Sequence, residues 1–236
     1  MRANHLIAPD APPVSTVATV ATTLREKLLT ILVAPGDVFE EVVGSPPNPA
    51  CWLAPTLLVC AAAMISLWVG PVGEWRAAEV RHLAEAGAIA APEAARLSGR
   101  LGLAALTIAA AAVAGTFWSA FVLWFIGRVF LKARVPYLKA VEIVGLTGVI
   151  LALGAVVTAL LIAATGDASA RADLSLFLGP SAAAGKVRLA AEALNFFHLW
   201  TATVLAIGLS KLAGVSFREA AFWVLGYWVG LRAALI

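Results

Sequence analysis

Four side chains could do chemistry inside an apolar setting: Glu142, Asn195, His198 and Glu219. Polar groups at membrane depth are costly, so they face the bundle interior and mark proton relays, ion paths or interhelical hydrogen bonds. Asn195 and His198 are spaced i, i+3, which puts them on one helix face with Ala202, and Thr201 adds a hydroxyl near that stripe. The stripe reads in two ways: as interhelical glue worth about 1 kcal/mol per contact, or as the lining of a small cavity or proton path. Glu142, Glu192 and Glu219 each stand near the start of an apolar run. There a carboxylate can snorkel to the headgroups or pair with a nearby cation, as Glu219 could with Lys211.

Other constellations fail on spacing. Gly179 and Gly185 before Lys186 enclose five residues, and Val187 follows the lysine. A phosphate loop needs four, then Ser or Thr to reach magnesium. His5, His82 and His198 are far apart, without a His-x-x-x-His pair for zinc. No Gly-x-Ser-x-Gly elbow occurs, and Asp167 and Asp173 flank Arg171 without a recognised metal-binding spacing. Cys51 and Cys60 share one helix about 13 Å apart along its axis, too far to bridge. The expectation is no enzyme, no cofactor and no metal. A net charge of +3, scattered along the chain, gives no footprint for nucleic acid.

The elements that must carry these residues are five apolar runs: Ala50–Val72, Leu101–Leu131, Ala140–Thr165, Glu192–Ala213 and Phe217–Ile236. A helix needs about 20 apolar residues to cross a bilayer core. Only 13% of the residues are charged and the mean hydropathy is +0.92, against about 25% charged in soluble domains. Backbone groups in lipid must be satisfied within the element, and the runs lack the alternation of barrel strands. The predicted fold is all-α, a polytopic membrane bundle of five transmembrane helices preceded by short amphipathic ones.

Met1–Thr23 reads as a disordered cytoplasmic tail, and residues 24–236 as one membrane domain. Leu24, Leu28, Ile31 and Leu32 fall on one helical face, which either lies in the headgroup region or packs on the bundle. Pro35-Gly36 predicts a turn. Asp37 and Glu40 predict the start of a short helix, Val38–Val43, with Phe39 pointing inward. Between spans one and two, Glu74–Ala86 reads as an amphipathic helix, and Pro92-Glu93 as the start of another that runs into span two. The loop Gly166–Ala191 reads as partly irregular. Lys and Arg divide nine to eight between the two sides. The dense, acid-free segment Arg128–Lys139 and the short turn Lys211–Arg218 place the N-terminus in the cytoplasm. Gly145 and Gly148 notch span three, and Gly226 and Gly230 form a G-x-x-x-G in span five. Such glycines let helices approach, within the bundle before between copies, although a homo-oligomer stays open. Trp52, Trp75 and Trp228 stand near span ends, where interfacial tryptophans belong.

Two segments carry a resemblance. Ala34-Pro35-Gly36-Asp37-Val38-Phe39-Glu40-Glu41-Val42, with Asn48-Pro49 and Trp52 entering span one, resembles the opening of prokaryotic Yip-domain membrane proteins. Leu194-Asn195-Phe196-Phe197-His198-Leu199-Trp200 and the stretch Ala206–Ala220 look like that family's closing hairpin. The family often breaks its third span with proline, and none occurs between Tyr137 and Thr165. The resemblance implies a polytopic protein whose eukaryotic relatives bind Rab/Ypt GTPases and help shape or sort membranes. Arg outnumbers Lys and Ala is abundant, which suits a high-GC bacterial protein of the inner (cell) membrane.

Two functions follow as expectations. The first is a non-enzymatic scaffold that meets the lipid bilayer and a protein partner through Leu24–Val43 or the Arg128–Lys139 loop. The second is a small transporter or permease-like subunit, with Glu142, Asn195 and His198 along a path; five spans without a repeat or broken helix disfavour it.

Overall fold

A computed structural model describes residues 23–69, 91–167, 170–174, 191 and 194–234, with the backbone alone for 91–101. The predicted tail, the Glu74–Ala86 helix, Trp75, Gly179–Val187, Glu192 and most of the Gly166–Ala191 loop lie outside the described residues. The elements are α1 (Leu24–Thr30), α2 (Pro35–Gly44), α3 (Ala50–Val69), α4 (Ala91–Phe125), a π-helical turn (Ile126–Phe130), α5 (Tyr137–Thr165), α6 (Phe196–Ala213) and α7 (Phe217–Ala234). Among the described residues all regular elements are helical, and a lone bridge joins Asp173 and Asn195.

Thr23 opens α1 with a capping box. Its hydroxyl accepts from the Glu26 N–H at 3.3 Å, while its own N–H donates to Glu26 Oε2 at 2.7 Å. The leucine face of α1 packs on the bundle, and Ile31 just beyond it is fully buried. The second helix begins earlier than the sequence predicts. Pro35 is its first residue rather than part of the turn, because proline at this position gives up only an N–H that has no intrahelical acceptor. Asp37 therefore lies inside the first turn, and Phe39 points inward as expected, wholly buried.

Among the described residues, four helical segments are long and apolar enough to cross a membrane: Ala50–Val69, Gly102–Phe130, Tyr137–Thr165 and Phe196–Ala213. α7 matches the last in length but carries Arg218, Glu219 and Arg232 within its 18 residues. Two starts differ from the apolar runs. α5 begins at Tyr137 rather than Ala140, directly after Pro136 in extended conformation. α6 begins at Phe196 rather than Glu192, because Asn195 is extended (φ −80°, ψ 127°) and caps it. α4 runs unbroken from Ala91 into the second span, and α5 continues for 29 residues without a kinking proline.

α5 is the axis of the bundle. Every residue from Lys139 to Thr147 is buried, the signature of a helix surrounded on all sides. Farther along, Leu153, Val156 and Leu160 are exposed. α3 runs parallel to α5: Gly145 meets Trp52, Gly148 meets Pro55 and Val59, and the Ser66 hydroxyl donates to the Ala155 carbonyl at 2.8 Å. α4 runs back along them, with Thr56 and Thr116 hydroxyls 3.4 Å apart and Tyr137 Oη donating to the Phe117 carbonyl at 3.2 Å. α6 is antiparallel to α5, with Gly208 against Ile143 and Phe197 against Gly154. α7 returns along α6, from Trp223 stacked on Phe130 at 4.2 Å to Arg232 beside His198. The helix order is thus up and down, with α1 and α2 at the end where α3 and α5 start.

Candidate functional site

The polar residues gather at two levels of the bundle. At the α1–α2 end, Lys139 and Glu142 are one turn apart near the start of α5, and their charges meet at 2.7 Å. Lys139 Nζ also donates to the Val42 carbonyl in the last turn of α2, at 2.7 Å. Glu142 Oε1 accepts the Asn48 N–H from the link into α3. One buried pair therefore ties α2, the Ser45–Pro49 link and α5 together. Two further ion pairs hold the same end: Lys27 with Glu41 at 3.2 Å between α1 and α2, and Lys211 of α6 with Glu40 of α2. Lys211 therefore serves α2 and not Glu219. Glu219 is exposed in the first turn of α7, where a carboxylate complements the helix dipole, and its N–H donates to the Ser216 hydroxyl at 3.3 Å.

At the opposite end, His198 lies inside α6, whereas Asn195 stands just before its first residue. Asn195 Oδ1 accepts the N–H groups of Phe197 and His198 at 2.9 and 3.3 Å, which makes it the N-cap of α6. His198 Nδ1 lies 3.0 Å from Arg232 Nη2, and the Arg232 guanidinium sits 5.8 Å from the centre of the Trp228 ring. Beside them opens a cavity of about 380 Å³ lined by Ser66 of α3, Gly154 and Thr158 of α5, Arg171, Asn195 and His198. Glu142 does not line it. The three residues proposed for one path thus belong to separate places, a buried clamp at one end and a cap with a cavity at the other.

The packing glycines also divide. A Cβ on Gly145 would stand 2.3 Å from Trp52 Cα and 3.0 Å from the Cys51 carbonyl oxygen, so α3 and α5 touch backbone to backbone there. Gly148 is roomier, with Val59 at 3.6 Å. Gly226 and Gly230, expected to pack within the bundle, are exposed with nothing within 4 Å. α7 turns Ala220, Ala221 and Val224 to the bundle instead. Gly226, two residues beyond Val224, lies about 200° round the helix and so faces away.

The segment Arg128–Lys139 changes most against expectation. Lys139 is not part of an open loop but buried in the clamp. Arg128 stands in the π-helical turn with its guanidinium 5.9 Å from the Trp124 ring centre, and Lys132 and Arg134 are exposed. The wide turn closes with the Leu131 N–H donating to the Ile126 carbonyl at 3.1 Å. Three features escaped the sequence: Lys139 as partner of Glu142, Arg232 as partner of His198, and the π turn. The first had a signal, opposite charges at i, i+3 entering an apolar run. Neither Arg232 nor the turn had one.

Among the described residues no cluster of three His, Cys, Asp or Glu could hold a metal ion. Cys51 and Cys60 are free thiols. The described geometry holds clamps, caps and helix seams.

The family model for the Yip1 domain matches residues 29–236. That stretch takes in α2, the buried clamp and every candidate membrane-crossing helix. Neither the curated proteins nor the solved structures give a match. Described residues that fold as a helical bundle, with four helices among them apolar enough to cross a membrane, and this match over most of the chain give the same answer: the chain belongs to the Yip1-domain family of multi-pass integral membrane proteins.

Proposed function

We propose that this protein is a non-enzymatic scaffold of membrane organisation whose α1–α2 hairpin presents a docking face to a protein partner in the cytoplasm. One observation carries the reading: the hairpin is held rigidly yet leaves apolar surface in the open. Phe39 and Val42 are buried, and the Lys139–Glu142 clamp and the Lys211–Glu40 pair fix α2 to α5 and α6. At the joint between α1 and α2, Leu29 is 61% and Val33 87% exposed. Lys132 and Arg134 lie exposed in the nearby α4–α5 turn and suit an acidic patch on that partner.

α7 is the fifth span in this reading. It runs back along α6 as far as His198, and its charges stand near its two ends, where they can reach the headgroups. An odd number of spans puts the termini on opposite sides, and the cations of the α4–α5 and α6–α7 turns favour a cytoplasmic N-terminus. The membrane is the inner (cell) membrane of a bacterium.

Photo-crosslinking in native membranes tests the scaffold. A probe at Leu29 should trap one protein of discrete mass, and Val33→Glu should abolish that adduct. Only lipid and self-contacts at Leu29 would overturn the reading. A reporter active only in the cytoplasm, fused after Ile236, should stay silent; activity there would overturn the topology.

A further inference from the structure

The cavity between α3, α5 and α6 has a chemistry that the scaffold reading does not use. Among the described residues its polar lining consists of Ser66, Thr158, Arg171, Asn195 and His198, and none of these is a carboxylate. Arg171 is exposed and makes no ion pair or hydrogen bond with a described residue. His198 accepts at Nδ1 from Arg232, because a guanidinium has only donors. The neutral ring therefore carries its proton on Nε2, a second donor on a residue of the cavity wall. The positive end of the α6 dipole adds to the same field, since Asn195 caps that helix at the cavity. Asp167 and Asp173, the acids nearest Arg171 in sequence, do not line it.

The rest of the wall is apolar: Ala63, Leu151, Ala155 and the Phe197 ring. Ser66 lies in the last turn of α3 and Asn195 at the cap of α6, so the cavity opens where those two helices end, while α5 runs on past it to Thr165. Arginine binds phosphate oxygens through paired N–H donors whose fork matches them.

We infer that this cavity binds a phosphate group, held by Arg171 and His198, with an apolar body lying along Ala63, Leu151 and Phe197. The phosphate can come from an anionic phospholipid or from a soluble phosphate. The inference stands apart from the docking face, which is at the other end of the bundle.

The test uses the purified full chain in detergent, with Arg171→Gln as the variant and Arg134→Gln, at the opposite end, as the control. Arg171 has no described partner, so its variant should keep the fold, which circular dichroism checks. Native mass spectrometry reads retention of phosphatidylglycerol against phosphatidylcholine, and calorimetry reads inorganic phosphate. The expected result is preferential phosphatidylglycerol retention that weakens about tenfold in Arg171→Gln and is unchanged in Arg134→Gln. If inorganic phosphate binds with that dependence and the lipid does not, the site stands and its ligand is soluble. Equal binding of both probes by the native chain and Arg171→Gln would overturn the inference, as would an equal loss in Arg134→Gln.

Discussion

Lys139 and Glu142 form an ion pair of 2.7 Å whose side chains are only 7% and 2% exposed. Both charges also have backbone partners on other segments, the Val42 carbonyl and the Asn48 N–H. A buried pair gains little over an apolar replacement, yet removal of one partner strands the other charge. Its use here is geometric: it sets where α2 ends and α3 begins relative to α5.

Loss of one partner should therefore cost more than loss of both. Glu142→Gln leaves a buried ammonium ion and should lower stability by about 3–5 kcal/mol. The double variant Lys139→Met/Glu142→Leu should be the more stable of the two in thermal melts in detergent. A double variant as unstable as the sum of the single ones would show that the charges do not act as a pair.

The seam between α3 and α5 gives a second expectation. A methyl at Gly145 would meet the backbone of Trp52 at 2.3 Å, and a backbone cannot swing away as a side chain can. Gly145→Ala should cost at least about 2 kcal/mol. Gly226→Ala adds a methyl in open space and should change stability by no more than about 0.5 kcal/mol. Equal melting temperatures for the two variants would remove the close contact from the account.

The apolar runs, the inward Phe39 and the Gly145 notch were legible because burial and helix approach leave marks in residue type and period. Gly226 and Gly230 carried the same mark but face outward, since spacing names a helix face without naming what lies opposite. Asn195 misled for a related reason. An amide at i−3 from His198 reads as a polar stripe if the helix has already begun, and as a cap if it starts one residue later. Helix starts are the least legible feature in a continuous apolar run. The Lys139–Glu142 clamp depends on the Val42 carbonyl and the Asn48 N–H, and no side-chain code announces which main-chain atom will lie nearby.

If Asn195 is a cap, its chemistry is replaceable by any side chain with an oxygen in the same place. Asn195→Ala should destabilise by about 1 kcal/mol, and Asn195→Asp should restore most of that. The measurement is thermal unfolding combined with hydrogen exchange at Phe197 and His198, whose N–H groups the cap holds. Unchanged exchange at both residues in Asn195→Ala would remove the cap and leave Asn195 only as a polar group of the cavity wall.

His198 and Arg232 join the start of α6 to the end of α7 at 3.0 Å. Arginine cannot accept, so the contact requires a lone pair on Nδ1 and the proton on Nε2. Nitrogen NMR of the protein in nanodiscs should find that tautomer at neutral pH. Arg232→Leu should remove the preference and loosen the end of α7, at a cost of about 1.5 kcal/mol. His198→Leu should cost a similar amount, and the two losses should not add, because either change breaks the one bond they share. Additive losses, or a proton on Nδ1, would mean that the two residues are neighbours without a hydrogen bond. α7 would then be held to the bundle by its apolar face, Ala220, Ala221 and Val224 with Trp223 and Leu225, without that bond.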